Sequence, residues 1–247
     1  MISGICSYCK KSFRKREQKY KFCSPSCSSR FNLNGLKVIL LPILCNELAE
    51  FIGICLGDGY VSQYQACITL NSNADIEYVP YVAGLAKKLF PEATISLIKR
   101  KDNAIDIRIN SRIVADFLKS NGIIANAKYI PPWIIENFIY SRYCMKGLFD
   151  TEGSISFKKY LSKKGTMIYK QLNFRNTDVN LMAFVRDNLI SLGLKPTLTL
   201  KKSLYLSNDK SISIFRDLVG FGNPKLLERS LICDINTYYK FKKLKIS

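Results

Sequence analysis

The chain has 247 residues, enough for one large or two small domains, and 47% of them are hydrophobic, so a core can form. Thirty-eight Lys and Arg against 19 Asp and Glu leave a net charge of +19, which favours a polyanionic partner, nucleic acid by default. No residue is His, which excludes Ser-His and Cys-His nucleophile pairs and His metal ligands, and leaves acid–base chemistry to carboxylates, Lys, Tyr, Cys or metal-bound water.

The N-terminus shows no charged-then-apolar leader. The longest apolar run, 38–45, contains Pro42 and is too short to span a bilayer. The expectation is a soluble, intracellular protein with no membrane partner and no readable compartment. In a reducing setting its nine cysteines argue for metal ligation or free thiols rather than disulfides.

Residues 1–34 read as a separate unit. Cys6 and Cys9 form a CxxC pair, and Cys23 and Cys27 a CxxxC pair. Four thiolates in two close pairs suit a tetrahedral, structural Zn²⁺. Seven basic residues, Lys10, Lys11, Arg14, Lys15, Arg16, Lys19 and Lys21, lie between the pairs. So short a segment cannot build a core alone, so the metal has to supply its folding energy. The pattern resembles small four-cysteine zinc fingers with an FCSxxC second pair. Cys45, Cys55, Cys67, Cys144 and Cys233 are scattered among apolar residues and read as small core residues.

Next comes 51–59, FIGICLGDG. Its residues are apolar on nearly every side, so it reads as a buried helix, with Asn46 as N-cap and Glu47 and Glu50 near the start. Gly59 lets the chain leave the helix. Asp58 therefore sits at the negative end of the helix dipole, where a carboxylate needs a nearby cation. After it, 60–73 alternates like a hairpin, with Ile68 and Leu70 inward and Thr69 and Asn71 outward. The pattern predicts a helix over 79–90, with Pro80 in its first turn and Pro91 as its stop. Strands follow at 94–99 and 104–110, then a helix at 113–120 ended by Asn121-Gly122.

The order then repeats. Residues 133–150 hold a helix and a second copy of the first pattern, 145–153, MKGLFDTEG. Strands at 154–160 and 167–175 flank a polar loop, 161–165. A helix at 181–192, strands at 197–201 and 203–207, and a helix at 212–219 complete it. FPEATISLIKR against LKPTLTLKK, and RIVADFLKSNG against SIFRDLVGFG, show the parallel. An internal duplication with a pseudo-two-fold is the simplest account. The fold class is α+β, with two αββαββα halves, 35–128 and 129–247. The tail 238–245 interleaves aromatics and lysines, and reads equally as a phosphate contact or as a solvated terminal helix.

The two glycine-centred stretches resemble the LAGLIDADG homing endonucleases. Both match the nine-residue motif in its glycine, apolar and terminal acid positions, and the resemblance runs from about Leu40 to Leu231. Leu56 stands where the motif has its first acid, and Lys146 where it has a small residue. The resemblance implies that Gly53 and Gly147 let two central helices pack closely, bringing Asp58 and Glu152 together. It implies a divalent-metal-dependent hydrolase making a staggered double-strand cut in DNA. Mg²⁺ or Mn²⁺ would be held by Asp58, Glu152 and the carbonyls of Gly57 and Thr151. It also implies a lysine beside each scissile phosphate. Lys128 in AKYIPPW and Lys225 in NPKLLER have matching spacing from their acids, though either could be a plain phosphate contact.

The two sheets would form a basic saddle on duplex DNA, read by the polar strand faces. Candidates are Gln63, Gln65, Thr69, Asn71 and Arg108 in the first half, and Ser156, Lys158, Gln171, Asn173 and Arg175 in the second. The expected partner is a long, pseudo-symmetric duplex bound by a monomer, with intron RNA as a further possibility. An RNA-binding maturase or a non-cleaving DNA-binding regulator on the same fold stays open as an alternative.

Overall fold

A computed structural model describes residues 2–15, 17, 19–34, 39–124, 128–162, 165–199 and 203–232. The basic tail 238–245, Cys233, Arg16, Lys201 and positions 163–164 of the polar loop lie outside the described residues. The chain divides into two compact units, Met1–Val38 and Ile39–Ser247.

In the smaller unit β1 (Ile2–Ile5) pairs antiparallel with β2 (Ser12–Lys15). The turn between them is closed by Cys6 N–H donating to Lys11 O at 2.9 Å. Lys10 takes a positive φ of 60° within it. Helix α1 (Pro25–Asn34) follows, with Cys27 N–H donating to Ser24 Oγ at 3.2 Å. The basic stretch between the cysteine pairs is thus partly strand, and the second pair begins a helix.

The larger unit opens with α2 (Asn46–Asp58), in which 48–56 is buried throughout. Its N-cap is Cys45 rather than Asn46, and no side chain caps it. Next are β3 (Gly59–Val61), β4 (Ala66–Asn71), α3 (Val79–Leu89), β5 (Thr94–Lys99), β6 (Ala104–Asn110) and α4 (Arg112–Ser120). The elements expected at 79–90, 94–99, 104–110 and 113–120 appear within a residue at each end. Ser111 Oγ caps α4 by accepting from Val114 N–H at 3.3 Å.

The second set begins with a single turn, α5 (Pro132–Ile135), then α6 (Phe138–Glu152). The helical text at 133–150 breaks at Asn137, whose side chain accepts from Ile139 and Tyr140 N–H and starts a new helix. There follow β7 (Gly153–Ser162), β8 (Gly165–Arg175), α7 (Val179–Ser191), β9 (Thr197–Thr199), β10 (Ser203–Leu206), α8 (Asp209–Leu218) and α9 (Pro224–Leu231). Strands β7 and β8 run further than expected, so Leu161 and Ser162 belong to a strand, not to a loop.

The two sheets have the same order, β3-β4-β6-β5 and β7-β8-β10-β9, with antiparallel pairing throughout. Ile68, Leu70, Ile105, Ile107 and Ile109 bury the inner face of the first sheet, and Ile155, Leu172, Phe174, Leu204 and Leu206 that of the second. Phe149 ties α6 to its sheet and to α8, with ring centroids 5.2 Å from Phe174 and 4.4 Å from Phe215. Cys55 and Cys144 are core residues, as expected. Cys67 is buried too, but alternation along β4 turns it to the outer, polar face, beside Thr69 at 3.9 Å.

Helices α2 and α6 pack backbone to backbone. A Cβ on Gly53 would overlap Cys144 O, and one on Gly147 would overlap Glu50 O. Only glycine permits this approach. It aligns the ends of the two helices, and with them the two acids.

Candidate functional site

Asp58 is the last residue of α2 and Glu152 the last of α6. Both helices give way directly to strands, through Gly59 (φ −89°) and Gly153 (φ −83°). These glycines are not needed for a left-handed turn. A Cβ on either would strike the helix it leaves, at Cys55 O and Phe149 O. A Cβ on Gly57 would overlap the Thr151 hydroxyl and stand 3.3 Å from Glu152 Cγ, so the two helix ends touch.

Charge is crowded here. Burial pushes Asp58 up to about 7, and the nearby Glu152 and Asp75 carboxylates add to the shift, while Lys128 and Lys225 oppose it. Burial also raises Glu152, against the charge of Lys128 and a hydrogen bond from Asn176 Nδ2 to Oε1 at 3.1 Å. Two acids forced upward by burial, Asp58 also by the charge of Glu152, suit a site that receives a cation.

Lys128 supplies the cation that the helix end requires. Its Nζ donates to Leu56 O at 2.9 Å and Gly57 O at 3.1 Å, with Cys55 O at 3.5 Å. Burial lowers its pKa, against the charges of Cys55, Glu152, Asp58 and Asp178. Lys225 Nζ donates to Asp75 Oδ1 at 2.6 Å. Lys225 is thus tied to an aspartate of the opposite half, whereas Lys128 is tied to the end of the helix of its own half. The Thr151 hydroxyl bonds back to Gly147 O and Leu148 O.

The structure therefore brings Asp58, Glu152, Gly57, Thr151, Lys128 and Lys225 into one neighbourhood. It adds Asp75, Asn176, Asn223 and Asp150, which the sequence reading missed. Asp150 is buried and accepts from the backbone N–H of Gly222 at 2.8 Å and of Asn223 at 3.0 Å. Tyr78 OH lies 3.3 Å from it. Burial drives Asp150 to about 7, against these bonds and the Lys146 charge. Asn223 Nδ2 donates to Asp150 O and to Asp75 Oδ1. Asp150 thus pins the loop that starts α9 and places Lys225. A signal was present: Asn73-Ala74-Asp75 and Asn176-Thr177-Asp178 recur after the second strand of each half, and Asn126-Ala127-Lys128 matches Asn223-Pro224-Lys225.

The strand-face candidates divide. Thr69 and Arg108 are on the outer face of the first sheet, bonded to Asp106. Ser156, Lys158, Asn173 and Arg175 are on that of the second, with Asn173 Nδ2 donating to Ser156 Oγ at 3.2 Å. Gln171 has the expected direction but is only 8% exposed, so it is closed off by its neighbours. Gln63 and Gln65 are not strand residues; they lie in the turn between β3 and β4. Asn71 Oδ1 is occupied, accepting from Asn73 and Ala74 N–H, and shapes the turn that carries Asp75.

In the smaller unit the four sulfur atoms of Cys6, Cys9, Cys23 and Cys27 all lie within 4.8 Å of one another. The Cys9–Cys23 and Cys23–Cys27 separations are 3.6 and 3.5 Å. A Zn–S bond of about 2.3 Å gives tetrahedral edges of about 3.8 Å, so the donor set fits zinc. Burial pushes the Cys6 thiol up, but backbone bonds from Cys23, Cys9 and Tyr8 prevail and bring it to about 6. Among the described residues no helix is long and apolar enough to cross a membrane.

No family model matches the chain. It is 27% identical over 192 residues to a replication factor C small subunit of Methanocaldococcus jannaschii, covering 75% of this chain and 10% of that protein. It is 24% identical over 200 residues to the Thermococcus kodakarensis counterpart, covering 77% and 22%. The chain thus spans a tenth to about a fifth of these relatives' lengths. The structural neighbours are LAGLIDADG proteins, mostly homing endonucleases. I-WcaI bound to its DNA recognition sequence has a TM-score of 0.52 at 15% identity, covering 85% of this chain and 96% of its own. I-DmoI in complex with DNA and Ca has a TM-score of 0.52 at 19% identity, covering 75% and 95%. The LAGLIDADG domain of WhiA has a TM-score of 0.50 at 18% identity, covering 72% and 84%. At these identities the likeness shows a shared fold.

Proposed function

We propose that the chain is a site-specific double-stranded DNA endonuclease of the homing type, making a staggered cut by divalent-metal-dependent hydrolysis. The observation that carries this reading is the meeting of Asp58 and Glu152 at the ends of two backbone-packed helices, with a lysine from each half beside them. Both DNA-bound neighbours and the +19 charge agree with a duplex partner.

The donor set is all oxygen and fits Mg²⁺ or Mn²⁺, held by Asp58, Glu152 and the carbonyls of Gly57 and Thr151. When bound, such a metal activates water and stabilises the charge developing on phosphate oxygens. The remaining work belongs to the chain. Gly57 O already accepts from Lys128, so Lys128 shares that carbonyl or swings away when a metal takes it. Its lowered pKa lets Nζ release a proton more readily than a free lysine, as protonation of a leaving oxygen requires. Lys225, held by Asp75, matches Lys128 in its spacing from the acid of its own half and would serve the other strand. The halves 35–128 and 129–247 would serve one strand each, so a single chain suffices. Cys6, Cys9, Cys23 and Cys27 hold one structural Zn²⁺, and the basic residues around them add phosphate contacts.

Incubation with Mg²⁺ and a duplex library, followed by sequencing of the ends, tests the reading. Discrete staggered double-strand ends are expected. Binding without cutting would favour the regulator reading, and preference for structured RNA the maturase reading.

A further inference from the structure

The first sheet carries a carboxylate where a phosphate-facing surface should have none. Asp106 lies on β6, an inner strand, opposite Thr69 of β4 and Ile98 of β5. Its neighbours in the strand, Ile105 and Ile107, point into the core, so Asp106 points outward. Yet it is only 3% exposed. Arg108 Nη2 donates to its Oδ2 at 2.8 Å, Thr69 Oγ1 donates to its Oδ1 at 3.0 Å, and Arg100 Nη1 lies 3.7 Å from Oδ1. Arg100 is held further by Asp102, at 2.7 Å from Nη2. Burial alone would raise the pKa of Asp106, but these bonds and charges outweigh it and keep the group ionised.

A carboxylate in that place cannot itself favour a phosphate backbone. What it does is order two guanidinium groups, Arg108 on an inner strand and Arg100 just past the end of β5. The planar fork of Arg, once oriented, matches the O6 and N7 of guanine in the major groove. The second sheet has no counterpart: its described strands β7 to β10 contain no Asp or Glu, so the strands offer no carboxylate to hold Arg175 on its outer face.

We infer that Asp106 is a positioning residue: it fixes Arg108, with Arg100 beside it, so that the first half of the chain reads a guanine at one position of its duplex. The inference rests on the duplex-DNA reading above and adds to it that the first half fixes its reading guanidinium with a buried carboxylate, whereas the described strands of the second half have none to fix Arg175.

The test is a binding selection on the full chain, in Ca²⁺ to suppress cutting, from a random duplex library. Wild type, Asp106→Asn, Asp106→Glu and Arg108→Lys are compared, with thermal melts to verify folding. Wild type should enrich a guanine in one half-site. Asp106→Asn should reduce that preference by about tenfold or more while leaving the other half-site unchanged. Arg108→Lys should lose the same guanine, and it carries the test should Asp106→Asn fail to fold. Asp106→Glu, which keeps the charge, should recover part of the preference. Unchanged preference in both Asp106→Asn and Arg108→Lys, or a loss spread evenly over the whole site, would overturn the inference and leave the duplex reading intact. A folded wild-type chain that enriches no duplex would overturn both.

Discussion

Asp58 carries its charge at a cost when no cation is near. Its pKa in the fold is about 7, against an ordinary 3.8, and Asp150 shows the same rise. Between those values the folded chain binds protons that the unfolded chain has released, so stability falls as pH rises from about 4 to about 7. Each group contributes on the order of a few kcal/mol at full ionisation. In EDTA the melting temperature should therefore fall between about pH 4 and pH 7. Asp58→Asn should flatten that slope, and Mg²⁺ should restore wild-type stability at the upper end. A melting temperature independent of pH would contradict the shift. On the endonuclease reading proposed above, Asp58 and Glu152 govern cutting. Loss of an outer partner of a metal commonly costs about 10- to 100-fold. Asp58→Asn or Glu152→Gln should therefore cost cleavage at least about 100-fold, with duplex binding retained. Wild-type cleavage rates in both variants would remove these acids from the active site. The acids themselves were legible because each ends a repeated apolar run before glycine. Asp75, Asn176 and Asp150 were not, because a short polar side chain in a loop has no periodicity. Only comparison of one half with the other makes them visible.

At the scale of elements, the close pairing of α2 and α6 depends on two glycines that contribute no side chain. Gly147→Ala would drive a methyl group into Glu50 O, and the helices can only separate. The expected loss is at least the 1–3 kcal/mol or so of an overpacked core, read by urea denaturation, and activity should fall with it. Gly84→Ala in α3 is the contrast. A Cβ there meets nothing within 4 Å, so the change should stabilise by about 0.5–1 kcal/mol. A Gly147→Ala protein as stable as wild type would show that the pairing tolerates more room. The sequence announced the helices and strands of both halves, since each has a clear period of burial. It did not announce α9. That helix buries little, Leu226 and Ser230 among the described residues, and is held by polar ties instead. The buried Lys170 donates to Ser230 O and Ile232 O, and Arg229 to Ile155 O. A lysine inside is a choice that hydrophobic patterning cannot show. Likewise Cys67 reads as core by composition but stands on the outer face by register.

For the whole molecule, the excess of positive charge sets how binding responds to salt. If six or more phosphates are neutralised, affinity for the selected duplex should fall on the order of 10³-fold or more between about 50 and 200 mM salt. A flat titration would contradict an extended phosphate interface. The smaller unit responds to a different reagent. Elemental analysis should find about one zinc per chain, lost in a Cys6→Ser, Cys9→Ser variant. That loss should abolish the helical signal of α1 and weaken duplex binding without abolishing cutting, since the acids belong to the other unit. A zinc-free chain with α1 intact would refute the metal site.

The exchange of partners across the centre of the larger unit bears on its symmetry. Lys225 leans on Asp75, Tyr78 on Asp150, and Lys146 on Glu50, each joining text from one copy to text from the other. Leu56 and Asp150 occupy corresponding places, and only Asp150 can hold a loop. The two halves are therefore not interchangeable: each holds partners that the other lacks. Two first halves would lack Asp150, where the first copy has Leu56; two second halves would lack Glu50, where the second copy has Cys144. A chimaera that borrows one half from a relative inherits this debt, and would have to bring 75–81 or 222–225 along with it to be soluble and active.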